Sequence, residues 1–159
     1  GVEVIGTVSS DDKVEKAKAH GCHHTINYTH EDFTARVEDI TNGKGVPVVF
    51  DGVGADTFEG SLKCLSPFGV LVSFGASSGK PPQLSLSVLA AKALYITRPS
   101  LAPHTATAML TKQIVSPLFS AIRDGLKISI NQTFSLKDAA NAHRALQSRK
   151  TTGSTILEI

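Results

Sequence analysis

The segment GTVSSDDK, residues 6–13, follows the apolar run Val2–Ile5 and places hydroxyl, carboxylate and ammonium groups at the end of the predicted strand Val2–Val8. In a dinucleotide-binding fold, the end of the second strand meets the adenosine ribose. A carboxylate there accepts bonds from the 2′-hydroxyl of NAD, whereas basic and hydroxyl side chains suit the 2′-phosphate of NADP. The run here ends in Ser9 and Ser10, and Lys13 follows one helical turn later. These three side chains therefore favour a phosphate.

Two aspartates, Asp11 and Asp12, oppose that interpretation because they would repel a dianion if they faced it. Carboxylates also stabilise the N-terminus of a helix, where they accept bonds from free amides and interact favourably with the helix dipole. We therefore expect Asp11 or Ser10 to cap a helix that starts here, with both carboxylates directed away from the ligand.

Glycine-containing turns follow two further apolar runs, at Asp51–Gly54 and at Gly75–Ser78. Ligands of open parallel sheets bind beyond the carboxyl ends of the strands, and glycine lets the backbone approach them closely. Tyr28 ends another short run and belongs to the same edge. The alternative is that these segments are tight turns with no ligand.

Strand and helix patterns alternate along most of the chain, which predicts a parallel α/β sheet. The Val48–Phe50 run is continuous and apolar, as in a strand that is covered on both faces. Pro117 is expected to kink or restart its helix. The predicted strands are Val2–Val8, Thr25–Tyr28, Val48–Phe50, Val70–Phe74, Leu94–Thr97, Lys127–Ile130 and Thr155–Ile159, and the predicted helices are 11–20, 31–40, 58–65, 84–92, 105–125 and a last one from 139.

Two other chemistries are possible. Cys22, His23 and His24, with His20 and His30 nearby, are potential metal ligands, but adjacent residues of a strand point to opposite faces, which favours a polar connection instead.

The segment Gly75–Gly79 fits the G-x-S-x-G pattern of a hydrolase, with Ser77 as nucleophile and His104 or His143 as base. That pattern requires a helix immediately after the serine, and Lys80–Pro82 argues against one.

Composition narrows the class of protein. The chain has 159 residues, a net charge of +2 and two cysteines. The charge is too small to suggest nucleic acid or an anionic membrane as partner, and no apolar run reaches the ~20 residues of a membrane span. Two cysteines suit a reducing compartment, so a cytoplasmic location is expected. Because the chain starts apparently inside a strand, we expect it to be part of a longer protein.

Several segments together resemble the cofactor-binding half of zinc-independent quinone oxidoreductases, the zeta-crystallin-like branch of the medium-chain dehydrogenase/reductase family. They are IGTVSSDDK, INY, DGVG after VVF, LVSFGASSG, LYITRPSL and LKDAANAHRALQSRKTTGSTIL. The resemblance implies a Rossmann-like, doubly wound parallel α/β sheet that is incomplete, without its first strand and glycine-rich loop. It implies a truncated NADP-binding domain at 1–125 and, at 126–159, a C-terminal helix and strand that pack toward an absent catalytic domain.

The resemblance also implies a role for individual residues. Ser9, Ser10 and Lys13 would surround the 2′-phosphate of NADPH, with Tyr28 beside the adenosine. The other implied cofactor contacts are Val53, Phe74, Gly75, Ser77, Ser78, Arg98, Pro99, Ser100 and Arg149. No residue is implied to be catalytic and none to bind a metal. Arg98 has an alternative role, pairing with a local carboxylate.

The implied activity is the NADPH-dependent reduction of a quinone, with the 159-residue chain inactive by itself. The implied assembly is a homodimer that joins through the edge strand 94–97. The alternatives are an alkenal or enone reductase of the same superfamily, or a nucleotide-binding domain without catalysis.

Overall fold

The computed structural model describes residues 1–148 and 151–159 and divides them into two compact units, Gly1–Pro103 and His104–Ile159. The resemblance implies a different boundary, at 125/126, after which the chain packs toward an absent catalytic domain. Because that domain lies outside this chain, the boundary at 125/126 stays a prediction. In the first unit the elements alternate as predicted. They are β1 (Ile5–Val8), α1 (Val14–Ala19) after a 3₁₀ turn (Asp11–Lys13), β2 (His24–Asn27), α2 (Phe33–Ile40), β3 (Val46–Asp51), α3 (Phe58–Cys64), β4 (Leu65–Ser73), α4 (Ser87–Ala90) and β5 (Tyr95–Thr97).

All strand pairs of the first unit are parallel, which confirms the predicted class of sheet. Strand β1 pairs with β2, and β4 lies between β3 and β5. Over the described residues, no ladder of hydrogen bonds joins β1 to β3. Each of these two strands therefore keeps one open edge, as expected for a doubly wound sheet that lacks the strand between them.

Two apolar clusters form the core of the first unit. One contains Phe58 and Leu62 of α3, which lie one helical turn apart, together with Leu71 of β4. The other joins Ile26 of β2 to Val37 of α2. Val49 of β3 packs against both clusters, so the two sheets share a core although no backbone ladder connects them.

The prediction that β3 is covered on both faces is wrong for this chain. Val48 is 42% exposed and Phe50 72% exposed, whereas Val49 between them is half-buried. Side chains of a strand alternate between the two faces of its sheet. Val48 and Phe50 therefore share the face that no described element covers.

The predicted turn at 66–69 lies inside strand β4 as an irregularity. Leu65, expected to end the preceding helix, starts this strand and pairs with Val46. The register then moves to Val48 opposite Val70, and Phe68 between the two pairs has a φ of +63°. The extra residues bulge out while the strand keeps its partner on both sides.

Several element boundaries differ from the predicted ones. Strand β1 begins at Ile5 instead of Val2, and β2 ends at Asn27 instead of Tyr28. Helix α2 begins at Phe33 because the Asp32 carboxylate accepts bonds from the amides of Thr34 and Ala35. The segment expected to be helical at 84–92 forms only α4, and β5 begins at Tyr95.

A short helix, α5 (Leu101–His104), is followed by the elements of the second unit, α6 (Ala108–Arg123), β6 (Ile130–Ser135), α7 (Ala139–Gln147) and β7 (Ser154–Glu158). Helix α6 continues through Pro117 without a restart, and a kink at this residue stays a prediction. Strand β6 begins at Ile130, where the prediction ended, because its pairing with β7 starts there. Ser135 accepts a bond from the Lys137 amide at the start of the 3₁₀ turn Leu136–Asp138, and α7, which follows this turn, begins without a side-chain cap of its own. No helix in the described part of the chain is long and apolar enough to cross a membrane.

Candidate functional site

The carboxyl end of β1 brings together two of the predicted phosphate ligands. Lys13 Nζ donates a hydrogen bond to Ser9 Oγ at 2.9 Å, and both side chains are half-buried. The 3₁₀ turn after β1 makes this contact possible because it folds Lys13 back over the end of the strand. A hydroxyl and an ammonium group therefore lie side by side where the strand ends.

Neither aspartate caps a helix, so the expectation for them is wrong. The 3₁₀ turn and α1 both begin without a side-chain cap. Asp11 instead accepts a bond from Asn27 Nδ2 at 2.7 Å. A bond from the Ser10 hydroxyl is the main reason why the pKa of Asp12 lies below its usual value, and Lys13 and Lys16 add to this effect. Ser10 thus has a partner within its own turn.

Tyr28 lies at the same edge of the sheet. It directly follows β2. Its backbone amide donates to the carbonyl of Val8 at 3.1 Å, and Val8 directly precedes Ser9 in the sequence. Its side chain is half-buried. The structure therefore groups Ser9, Ser10, Lys13 and Tyr28 at the ends of two paired strands.

The turns after β3 and β4 interlock and form a second group of predicted site residues. The Phe74 amide donates to the Asp51 carbonyl at 2.9 Å, and the Ser78 amide donates to the Val53 carbonyl at 2.8 Å. The Ser78 hydroxyl also donates to Val53 and accepts a bond from the Asp56 amide. The hydroxyl of Ser78 is therefore committed to the turn, whereas the side chain of Ser77 is exposed.

Sequence reasoning missed the residue that holds this second group in place. Asp51, 4% exposed, ends β3 and accepts bonds from the amides of Val53 and Gly54 and from the hydroxyls of Thr57 and Ser61, at 2.8–3.0 Å. A buried carboxylate needs such donors to offset the loss of water. An aspartate after an apolar strand was a visible signal, but its partners on α3 follow from the fold.

Close backbone contact explains the glycines of these turns. A methyl group on Gly52 would come within 3.0 Å of the Phe74 ring, and one on Gly54 would overlap the Gly79 carbonyl oxygen. Gly54 also has a φ of +91°, a conformation that other residues rarely adopt. Glycine is required here by the packing of the two turns against each other.

The segment after β5 contributes the remaining predicted residues. Arg98 donates to the hydroxyl of Ser73 at 3.0 Å, which ties β5 to the end of β4. Within residues 1–148 and 151–159, Arg98 forms no ion pair with a carboxylate, so its alternative role as the partner of a local carboxylate is not observed there. Pro99 and Ser100 are exposed. Arg149 lies outside the described residues.

The two alternative chemistries find little support. Within the described ranges, no group of three or more His, Cys, Asp or Glu side chains is placed to hold a metal ion. His23 accepts a bond from the Val4 amide, and His24 pairs with Glu3 at 2.8 Å. Ser77 is followed by a turn and an extended segment, and the helix that a nucleophile elbow requires is missing there.

The combined geometry suits an extended ligand with a phosphate at one end. A hydroxyl–ammonium pair lies at the end of β1, and backbone without side chains lies at the ends of β3 and β4. No carboxylate among the predicted site residues is available to accept a proton. The arrangement can bind and orient such a ligand.

Comparison with known proteins agrees with the fold. A family described as zinc-binding dehydrogenase matches residues 1–115. The chain is 47% identical to a quinone oxidoreductase of Pseudomonas aeruginosa, and the match covers 99% of this chain and 49% of that protein. It is 42% identical to a 2-haloacrylate reductase of Burkholderia, and that match covers 99% of this chain and 48% of that protein. The crystal structure of Escherichia coli quinone oxidoreductase complexed with NADPH superimposes with a TM-score of 0.92 at 43% identity, over 99% of this chain and 49% of that one.

The strand order and the interlocked turns define a Rossmann-like α/β fold of the doubly wound type, present in part. The chain spans about half the length of the curated relatives that it matches. It belongs to the zinc-binding dehydrogenase family, and within that family it is similar to the quinone oxidoreductases.

Proposed function

We propose that the whole protein is an NADPH-dependent quinone reductase and that this chain supplies the part that binds the cofactor. The observation that carries the proposal is the contact of 2.9 Å between Lys13 Nζ and Ser9 Oγ at the end of β1. An NAD-specific site would have a carboxylate there to accept bonds from the ribose hydroxyls. A hydroxyl and an ammonium group both donate, and a phosphate accepts from both.

The other predicted residues fit the rest of such a cofactor. In this proposal Tyr28, which follows β2, lies beside the adenosine, and so does Val53, whose amide donates to Asp51 in the turn that follows β3. In this proposal Gly75, whose backbone packs against Gly52, borders the nicotinamide half of the cofactor. In this proposal the further contacts come from Phe74, Ser77, Ser78, Arg98, Pro99, Ser100 and Arg149.

When bound, NADPH supplies the hydride, and the protein supplies orientation and a cleft without water. The relative from Escherichia coli was crystallised with NADPH, which supports the same cofactor here.

A second candidate activity is the reduction of an alkenal or enone. It is favoured by the 42% identity to a 2-haloacrylate reductase, whose name describes an electron-poor carbon–carbon double bond as the reducible group. Both activities use the same cofactor site, and the difference lies in the substrate.

For the assembly, we propose a cytoplasmic homodimer that joins through β5 and works without zinc. Strand β5 pairs only with β4 within the described residues, so its outer edge has unsatisfied backbone groups, and Tyr95 on it is 60% exposed. Zinc independence rests on the resemblance to the zinc-independent branch, and the two free cysteines, Cys22 and Cys64, suit a reducing compartment.

The experiment is to express the full-length protein and follow NADPH and NADH oxidation at 340 nm with 1,4-benzoquinone and with an α,β-unsaturated ketone. We expect turnover with NADPH, faster with the quinone. Faster turnover with the ketone would favour the second candidate. Binding of NADPH without turnover of either substrate would indicate a nucleotide-binding domain without catalysis, and failure to bind NADPH would refute the proposal.

A further inference from the structure

A buried amide lies between the end of β2 and the aspartate that follows β1. Asn27 is 5% exposed, and its Nδ2 donates to Asp11 Oδ1 at 2.7 Å. Its Oδ1 accepts from the amide and from the hydroxyl of Thr29, at 3.1 and 2.6 Å. Each end of the Asn27 amide is therefore engaged.

The orientation of this amide follows from the chemistry of its partners. The Thr29 backbone amide can only donate, so the oxygen of Asn27 must face it. The NH₂ group then faces Asp11, whose ionised carboxylate can only accept. A reversed amide would oppose donor to donor at Thr29 and acceptor to acceptor at Asp11. The network thus fixes Asn27 in one orientation, and Asn27 in turn fixes Asp11.

The backbone of Asn27 is restrained as well. Its amide donates to Glu31 Oε1 at 3.2 Å, and the other oxygen of Glu31 pairs with Arg36 Nε at 3.1 Å. The restraint on Asp11 therefore comes from a segment that is itself held on α2.

A released Asp11 would interfere with the phosphate ligands. It is two residues from Ser9 and two from Lys13, within the same short turn. A mobile carboxylate there would repel a phosphate dianion and would compete with Ser9 for the Lys13 ammonium. In the structure, Lys13 donates to Ser9, while the Asp11 carboxylate is bonded to Asn27.

We infer that Asn27 is a positioning residue for cofactor preference, which holds the Asp11 carboxylate at the end of β2 and so keeps Lys13 and Ser9 available to the 2′-phosphate. This inference rests on the proposed function. It assigns to Asn27 no contact with the cofactor, and it explains how an acidic residue next to the phosphate ligands is compatible with NADPH.

The test is a double-mutant cycle in the full-length protein, with kcat/KM for NADPH and for NADH measured on the wild type, Asn27→Ala, Asp11→Asn and the double variant. Asn27→Ala is expected to lower the NADPH:NADH ratio on the order of tenfold, through a higher KM for NADPH. Asp11→Asn is expected to change the ratio by less than about twofold, because the carboxylate is already held away. In the double variant the ratio is expected to return close to that of the wild type.

A purely structural role of Asn27 would lower both cofactors' kcat/KM alike, and Asp11→Asn would not rescue the ratio. An additive cycle, or a large gain in NADPH preference from Asp11→Asn alone, overturns the inference while the proposed function stands. A wild-type protein without NADPH preference refutes both. If Asn27→Ala does not fold, Thr29→Val replaces it. This variant removes one donor to Asn27 Oδ1, and its smaller effect is expected to vanish in the Asp11→Asn background.

Discussion

Gly75 lies directly against the backbone of Gly52. A methyl group on Gly75 would come within 2.5 Å of the Gly52 carbonyl oxygen and within 2.8 Å of its Cα. Because both contacts are with backbone, no side-chain rotation can relieve them. We expect Gly75→Ala to separate the turns after β3 and β4 and to lower the free energy of unfolding by about 1–3 kcal/mol. Urea unfolding of the full-length protein measures this change, and Ser77→Ala in the same turn, with an exposed side chain, is the control. Equal stabilities of the two variants would contradict the contact.

Replacing Asp51 by Asn or by Ala tests how the amide and hydroxyl donors around its carboxylate depend on it. In Asp51→Asn, the remaining oxygen can serve the amides of Val53 and Gly54, and the hydroxyls of Thr57 and Ser61 can rotate to accept from the new NH₂ group. We expect a cost of about 1–2 kcal/mol for this variant. Asp51→Ala leaves the two amides and the Ser61 hydroxyl without this acceptor and leaves the Thr57 hydroxyl only the Gly54 carbonyl at 3.5 Å, so a cost of about 3 kcal/mol or more is expected.

Thermal or urea unfolding of both variants tests this order of stabilities, with Asp56→Asn as the control because Asp56 is exposed. The assignment fails if Asn and Ala at position 51 cost the same, since that would mean that the amides do not depend on the carboxylate.

Lys13→Glu tests the phosphate site directly. The variant removes the ammonium group that contacts Ser9 and places a carboxylate at the end of β1. A hydrogen bond to a charged group contributes about 1.5–3 kcal/mol, so a loss of tenfold or more in the NADPH:NADH ratio of kcat/KM is expected. Lys16→Glu, in α1 directly after the 3₁₀ turn, is the matched control for net charge. An unchanged ratio in Lys13→Glu would mean that the phosphate is bound elsewhere.

The sequence was sufficient to predict the parallel sheet and the position of the ligand edge. Glycine turns after apolar runs are local features of the backbone, which residues close in sequence determine, so the sequence is enough to predict them. The contact of Arg98 with Ser73 could not be predicted, because it depends on which strands are neighbours and on their register. Leu65 was assigned to a helix because its spacing of three residues from Leu62 suits one helical face, and only its pairing with Val46 shows that it belongs to a strand.

The pH dependence of stability should show the state of Cys64. Burial raises the pKa of this thiol from 9.0 to about 11, with Lys92 acting in the opposite direction. The folded protein therefore keeps the proton over a range in which the unfolded chain loses it. The stability that this provides is fully present below pH 9 and is lost as the pH rises through about 11. Urea unfolding between pH 8.5 and 11 should show a decline that is less steep in Cys64→Ala. Equal slopes would contradict the raised pKa.

The β5 edge offers a test of the proposed dimer. Tyr95→Lys places a charge on the exposed edge strand, which disfavours pairing between strands of two molecules. We expect the full-length variant to elute as a monomer in size-exclusion chromatography with light scattering, and the wild type as a dimer. Leu86→Lys, at another exposed apolar residue outside β5, should leave the dimer intact. A wild-type monomer would refute the proposed dimer, and a Tyr95→Lys dimer would place the interface elsewhere.

Pro117 makes one turn of helix α6 easier to bend than the others, although the helix is continuous. Proline has no amide hydrogen, so the carbonyl of Gln113, four residues earlier, receives no bond from position 117. The helix therefore consists of two hydrogen-bonded stretches that share one soft turn. Bending at this turn breaks fewer backbone hydrogen bonds than bending anywhere else along α6. A force on either end of the helix therefore bends it at this turn, while each half stays straight.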